Sequence, residues 1–227
     1  MPGTLYVVGT PIGNLEDITF RAVRILKEVA IIAAEDTRHT QKLANHFDID
    51  TPLTSYHDFN KEEKTPVLLA RLREGDSIAL VADAGTPTLS DPGYYLIKQS
   101  ILAGISVRPI PGPTAAAAAL SFSGLPTDRF AFEGFLPRKK GKRAKRLEAL
   151  QSDQRTLIFY ESPHRLTAFL EEIRSIFGER RIAMGRELTK RFEEVIYGGV
   201  SEVIERIKAK RPKGEITVVV EGCRRKD

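Results

Sequence analysis

The stretch from Ser77 to Gly93 constrains this chain more than any other, because a short apolar run leads directly into a loop built of backbone-shaping residues. Ser77-Ile-Ala-Leu-Val-Ala82 is mostly apolar and bounded by turn residues, which suits a strand buried on both faces of a parallel sheet. DAGTPTLSDPG at 83–93 then supplies glycines, prolines, hydroxyl residues and aspartates, a composition that shapes backbone instead of filling a core. Asp91 and Pro92 read as the N-cap and first turn of a helix running to Ala103. Ligands of open α/β sheets bind beyond the carboxyl ends of the strands, so this loop is where a small molecule is expected.

Strand-like and helix-like segments alternate through the first half, the pattern of a mostly parallel sheet covered by helices. Strands are expected at Thr4–Gly9, Ala30–Ala34, Ser77–Ala82 and Ile105–Ile110. Helices are expected at Ile18–Glu28, Thr37–Phe47, Lys61–Arg73, Pro92–Ala103 and the alanine-rich Thr114–Leu120. FSGLPTD within 121–128 separates two regions that each read as a compact unit, which places the domains at 1–120 and 121–227. In the second, strands at Phe130–Phe135, Thr156–Tyr160, Arg181–Arg186, Glu194–Gly198 and Glu215–Val220 accompany helices near Lys140–Leu150, Pro163–Phe177 and Val200–Lys208. Two consecutive strands flanking the 190 region imply a partly antiparallel sheet.

Composition narrows the function. Hydrophobic residues make up 41% of the 227 and charged residues 29%, with no apolar run of the roughly 18 residues a membrane span requires. The N-terminus has neither the basic start nor the small-residue cleavage site of a signal peptide, so a cytoplasmic protein is expected. One cysteine, Cys223, precludes an internal disulfide, and the four histidines show no metal-ligand spacing, so no metal is expected. The net charge of +5 is concentrated: RKKGKRAKR at 138–146 holds seven basic residues and no acid, leaving the remainder slightly acidic. Such a run suits a phosphate backbone, whose condensed counterions Lys and Arg displace; it is equally the pattern of a solvated helix face.

Three loops follow first-domain strands: Gly9-Thr-Pro-Ile-Gly-Asn14, the 83–93 loop, and Pro111-Gly-Pro-Thr-Ala115. Each joins glycine, for close backbone approach, to proline, for a rigid turn, and together they could line one crevice. None is a GxGxxG or GxxxxGK[ST] phosphate loop, and no GxSxG elbow is present. EDTRHT at 35–40 puts two acids, Arg38 and a histidine at a helix start, where Asp36 or Thr37 is a candidate cap and Arg38 a candidate phosphate ligand. In ESPHR at 161–165, Ser162 and Pro163 fit cap and first-turn roles, leaving His164 and Arg165 for a ligand or for solvent.

GTPIGNLED at 9–17, EDTRHT at 35–40, DAGTPTLSDPG at 83–93, PGPTA at 111–115, SGLPTDRFAFEGFLPRKKGKR at 123–143 and ESPHR at 161–165 together resemble one family over essentially the whole chain. It is the ribosomal RNA small-subunit methyltransferase I family, within the tetrapyrrole methylase superfamily of class III methyltransferases. The resemblance implies two α/β domains, the first with a mostly parallel and the second with a mixed sheet, and S-adenosylmethionine in the interdomain cleft. It further implies a homodimer and 2′-O-methylation of a cytidine ribose in the decoding centre of 16S ribosomal RNA. Carried over residue by residue, the donor-binding positions are Pro11, Gly85, Thr86, Pro87, Leu89, Thr114 and Ala115, with Tyr160, Glu215 and Ile216 closing over the adenosine. Many family members continue past the position of Asp227 with a further helical segment.

The sulfonium carbon of that donor is already activated, so the enzyme has mainly to align the ribose oxygen and exclude water, helped by a general base. Glu35, Asp36 and Asp83 are the candidates, with His57 after them, and the sequence does not choose among them. Arg38, Arg138, Lys139, Lys140, Lys142, Arg143, His164 and Arg165 are the candidate RNA contacts. Two alternatives share the sequence features: a methyltransferase of this fold acting on a tetrapyrrole or other small acceptor, which has no need of the basic run, and a non-catalytic RNA-binding assembly factor.

Overall fold

The computed structural model describes residues 1–210 and 212–224; the C-terminal residues 225–227, part of the charged end at which the chain stops, lie outside the described residues. Packing divides the chain into two units, Met1–Thr114 and Ala115–Asp227.

The first unit is a parallel five-stranded sheet. Its strands are β1 (Thr4–Val8), β2 (Ile31–Ala34), β3 (Leu53–Ser55), β4 (Ile78–Val81) and β5 (Ser106–Ile110), in the spatial order β3-β2-β4-β1-β5. Strand β4 is buried along its whole length, as the unbroken IALV run requires of a strand covered on both faces. Helices α1 (Phe20–Glu28) and α2 (Thr37–His46) cover one face, where Ala22, Ile25, Leu26, Leu43 and Ala44 pack with Val8, Ala79, Val81 and Ile110. Helices α3 (Lys61–Glu74) and α4 (Tyr94–Leu102) cover the other, where Leu68, Leu72 and Leu96 pack with Leu5, Ile78 and Leu80. The chain leaving adjacent strands β1 and β4 therefore departs to opposite faces, a topological switch point at which the diverging loops open a crevice.

The second unit begins with α5 (Ala115–Phe122), which packs on its sheet. Strands β6 (Phe130–Phe135), β7 (Thr156–Glu161), β8 (Arg181–Arg186), β9 (Glu194–Gly199) and β10 (Ile216–Val220) take the order β6-β7-β10-β8-β9. Only β6 and β7 are parallel; β8 and β9 form the antiparallel pair expected around residue 190. Helices α6 (Lys140–Leu150), α7 (Leu166–Phe177) and α8 (Val200–Ala209) bury Leu147, Phe169, Leu170, Ile173, Val203 and Ile204 against this sheet.

Three local expectations are corrected. Helix α4 starts at Tyr94 with Gly93 as N-cap, not at Asp91-Pro92, because Thr88 and Ser90 adopt left-handed φ values of 76° and prolong the loop. Helix α7 starts at Leu166, and Ser162 instead closes a turn by accepting from the amides of Arg165 and Leu166 through its carbonyl. Strand β3 was not anticipated: three half-buried residues are too few to show a period-two pattern.

Candidate functional site

The three loops at the carboxyl edge of the first sheet are tied into one structure. Thr10 and Gly85 exchange both backbone hydrogen bonds, at 2.9 and 3.0 Å, and the Thr10 hydroxyl reaches the carbonyls of Ala82 and Gly85. The Gly9 amide donates to the Ile110 carbonyl, and the Thr86 hydroxyl donates to the Pro113 carbonyl. Glycine is required where the loops meet: a Cβ on Gly9 would lie 2.8 Å from the Gly112 Cα, and one on Gly112 would lie 2.7 Å from the Gly9 carbonyl oxygen. Gly85 itself has φ of +79°. The left-handed conformations of Thr88 and Ser90 are costly for residues with a Cβ, most of all for β-branched threonine, and such strain concentrates in binding loops. Pro11, Thr86 and Thr114 are half-buried on this edge, Pro87 is buried, and Leu89 is exposed.

Beside the knot, at the ends of β2 and β4, two carboxylates are interlocked through backbone. Asp83 Oδ1 accepts the Asp36 amide at 3.0 Å, while the Asp83 amide donates to Glu35 Oε2 at 3.4 Å. Burial, reinforced by the negative charges of Asp83 and Asp58, pushes the Glu35 carboxyl above its ordinary pKa, although the Asp83 amide pulls the other way. Asp36 differs. Its carboxylate caps α2 through the Arg38 amide and grips the Arg38 guanidinium at 2.6 Å, which holds it well below the usual carboxylate range. Arg38 is thus engaged with Asp36 while its side chain stays 88% exposed. The structure brings Glu35, Asp36 and Asp83 to one edge and separates them by chemistry.

In the second unit, the Tyr160 hydroxyl accepts the Ala116 amide at 3.1 Å, placing Tyr160 at the start of α5 next to Ala115. Tyr160 pairs with Thr217 across β7 and β10, so Ile216, buried, is one residue from that pairing. Glu215 is exposed, and Lys190 bridges its carboxylate to that of Glu187, 3.0 Å from each.

The basic candidates fall into two groups. Arg143 is buried and makes a bidentate pair with Glu172 at 2.6 and 2.7 Å, while Arg165 does the same with the buried Glu161 at 2.7 and 2.9 Å. Both guanidiniums are occupied in holding α6 and α7 in place. Arg138, Lys139, Lys140, Lys142 and His164 are exposed and form no ion pair among the described residues. Sequence did not distinguish Arg143 from its neighbours, because only the helical period, which sets it in register with buried Leu147 and Leu150, marks it as inward-facing. Unsignalled in the sequence is the left-handed backbone of the expected β8–β9 connection, at Glu187 and Thr189 with φ 50° and 65°. No glycine or proline signals that turn.

No helix among the described residues is long and apolar enough to cross a membrane, and no group of three or more metal-binding side chains occurs among them. Residues 4–204 match the family described as Tetrapyrrole (Corrin/Porphyrin) Methylases. The chain is 54% identical over 220 residues, 97% of its length and 76% of the relative's, to the ribosomal RNA small subunit methyltransferase I of Halalkalibacterium halodurans. To the protein of that name from Escherichia coli O157:H7 it is 52% identical over 223 residues, 97% of this chain and 78% of the relative. Among solved structures, a uroporphyrin-III C-methyltransferase from Thermus thermophilus complexed with S-adenyl homocysteine shares the fold. Its TM-score is 0.66 at 21% identity, covering 96% of this chain and 97% of that one.

Proposed function

Since the chain belongs to the tetrapyrrole methylase family, and within it to the ribosomal RNA small-subunit methyltransferases I, we propose that it methylates the ribose 2′-oxygen of a cytidine in 16S ribosomal RNA, with S-adenosylmethionine as donor. The observation that carries this reading is the three-loop knot at the switch point, with a perturbed carboxylate set directly beside it.

The residues present suit that donor. The contact of Gly9 with Gly112 and the left-handed Gly85 leave a rim made of backbone, where a Cβ would run into the neighbouring loop. Pro11, Gly85, Thr86, Pro87, Leu89 and Thr114 are the proposed donor contacts, and the proposal extends to Ala115, Tyr160, Glu215 and Ile216. The bound donor supplies a methyl group already activated by positively charged sulfur. The protein's own task is to hold the 2′-hydroxyl in line with that carbon and to receive its proton. With the methyl group taken up by the ribose oxygen, the hydroxyl proton would pass to Glu35. Of the three acids, Glu35 is the suitable acceptor: its proton affinity is raised, whereas Asp36 is committed to Arg38. Asp83 positions Glu35 through its amide.

Arg138, Lys139, Lys140 and Lys142 form the proposed phosphate-binding surface. A homodimer acting in the cytoplasm belongs to the same reading. Helix α4 leaves Tyr94, Ile101 and Leu102 more than half exposed at spacings of one face, a surface suited to a second copy.

The deciding experiment offers labelled S-adenosylmethionine with small ribosomal subunits and with free 16S RNA, then maps the modified nucleotide. Label on a cytidine 2′-oxygen is expected; label on a base would overturn the assignment, and calorimetry showing no donor binding would overturn the enzyme reading altogether.

A further inference from the structure

Beyond the reacting groups, one feature of the same sheet edge has no structural occupation. The Phe59 ring is 98% exposed, yet the turn that carries it is fixed. Asn60 accepts the His57 amide at 2.9 Å through its side chain, donates to the Ser55 carbonyl at 3.2 Å and the Ser55 hydroxyl at 3.1 Å, and its own amide donates to the His57 carbonyl. Asp58 and Lys61 form an ion pair across the same turn at 2.9 Å, giving the ring a polar rim. Isolated exposed apolar side chains are ordinary on protein surfaces. A ring held out by a locked turn, at the edge where the sheet's loops gather, is a different case.

Register places this turn beside the proposed base. Ala34 of β2 is opposite Ser55 of β3, and the Tyr56 amide donates to the Ala34 carbonyl at 2.7 Å, so the chains run out of the two strands side by side, Glu35 on one and His57 on the other. His57 and Asp58 lie close enough for their charges to act on the Glu35 carboxyl. His57 Nδ1 is buried and has no hydrogen-bond partner among the described residues, and its ring meets Phe59 edge-on at 6.1 Å. A polar nitrogen without a partner, a presented aromatic face and a carboxylate thus share one end of the sheet.

We propose that Phe59 is the stacking platform for the base of the acceptor nucleotide, placing its ribose toward Glu35. This rests on the methyltransferase reading for its consequence, but not for the binding itself. Proteins that recognise one nucleotide of a folded RNA commonly splay its base out of the neighbours' stack, and an aromatic face replaces the stacking so lost. Stacking tolerates any base, so Phe59 supplies affinity and placement, and hydrogen bonding groups near it, His57 among them, supply discrimination.

The chain contains no tryptophan, so Phe59→Trp would create the sole indole and a direct optical reporter. Its emission should be quenched, and shifted, by a short single-stranded RNA containing cytidine. Phe59→Ala should lower kcat/KM for methylation of small subunits by roughly tenfold or more, with donor affinity by calorimetry unchanged, and Phe59→Tyr should restore most of the loss. Unquenched indole emission in Phe59→Trp, together with an unchanged kcat/KM in Phe59→Ala, would overturn the proposal while leaving the methyltransferase reading intact. Quenching by RNA in a protein that transfers no methyl group would uphold the stacking site and overturn that reading instead. If Phe59→Ala altered sedimentation but not RNA binding, the ring would belong to a contact between copies and the proposal would fail.

Discussion

The two units handle their inward-facing carboxylates in opposite ways. At the edge of the first sheet, Glu35 and Asp83 are interlocked by backbone amides and bond to no cation among the described residues, so the Glu35 charge stays uncompensated. In the second unit the buried Glu161 is answered by Arg165, and the half-buried Glu172 and Glu187 by Arg143 and Lys190. A compensated carboxylate is an architectural part, whereas an uncompensated one is available to exchange a proton. On the proposed reading of Glu35, the contrast assigns chemistry to the first unit and rigidity to the second.

Breaking a compensated pair should have the largest effect. Arg143→Ala strands Glu172, whose side chain is only 14% exposed, and should destabilise the protein by about 3–5 kcal/mol in denaturant titration. Replacing both partners with apolar residues, as in Arg143→Met with Glu172→Leu, should recover most of that loss. By contrast, Lys139, Lys140 and Lys142 all changed to Ala should leave stability within about 0.5 kcal/mol. The triple variant should instead weaken RNA binding and flatten its salt dependence. An Arg143→Ala protein as stable as the parent would break the division between the two groups of basic residues.

This division was only half legible in sequence. The parallel sheet, the mixed sheet and the three glycine-proline loops follow from local signals: unbroken apolar runs, helical spacing and punctuation at strand ends. Glu35, Asp36 and Asp83 are equal candidates in sequence, because three acids near strand ends look alike until the fold shows which one Arg38 occupies. Arg143 and Arg165 sat in runs that read as ligand-facing, and their partners Glu172 and Glu161 are revealed by tertiary packing alone. The conformation of the β8–β9 connection is illegible for another reason: its left-handed Glu187 and Thr189 are accompanied by tertiary and local bonds to Lys190, Glu193 and Glu215, and no glycine, asparagine or proline marks the turn.

Glycine substitutions test the same contrast from the side of backbone. Gly112→Ala sets a methyl group against the Gly9 main chain, which has nowhere to go without breaking the Gly9–Ile110 hydrogen bond. A loss of about 3 kcal/mol is expected, together with loss of donor affinity in calorimetry. Gly214→Ala has a nearer clash, at 2.3 Å, but the obstacle is the Glu187 carboxyl, the far end of a side chain that can swing aside. Its cost is the left-handed φ of +88° and the weakened Glu187 contacts, about 1–2 kcal/mol, with donor affinity altered less than by Gly112→Ala. Equal losses of stability from the two would mean that carboxylate packing confines the chain as tightly as backbone does.

The smallest effect is the most discriminating, because its sign differs between the units. At Glu187 burial raises the pKa, but the Glu215 amide and Lys190 outweigh it, and the net shift is downward. Such a group contributes stability above its unfolded pKa, near 4.3, and loses it as pH falls through the lower folded value. Glu35 is shifted upward, so its favourable contribution is complete below the unfolded pKa and disappears as pH rises through the folded one. Consequently Glu187→Gln should destabilise at pH 7 and converge on the parent in acid, while Glu35→Gln should stabilise slightly at pH 7 and converge likewise. Both differences should be at most about 1 kcal/mol, since each carboxyl retains access to water. Denaturant titrations of the two variants across pH 3–7 would show curves approaching the parent from opposite sides. Curves approaching from the same side would mean that Glu35 is compensated after all, and would remove the electrostatic reason for preferring it as the proton acceptor.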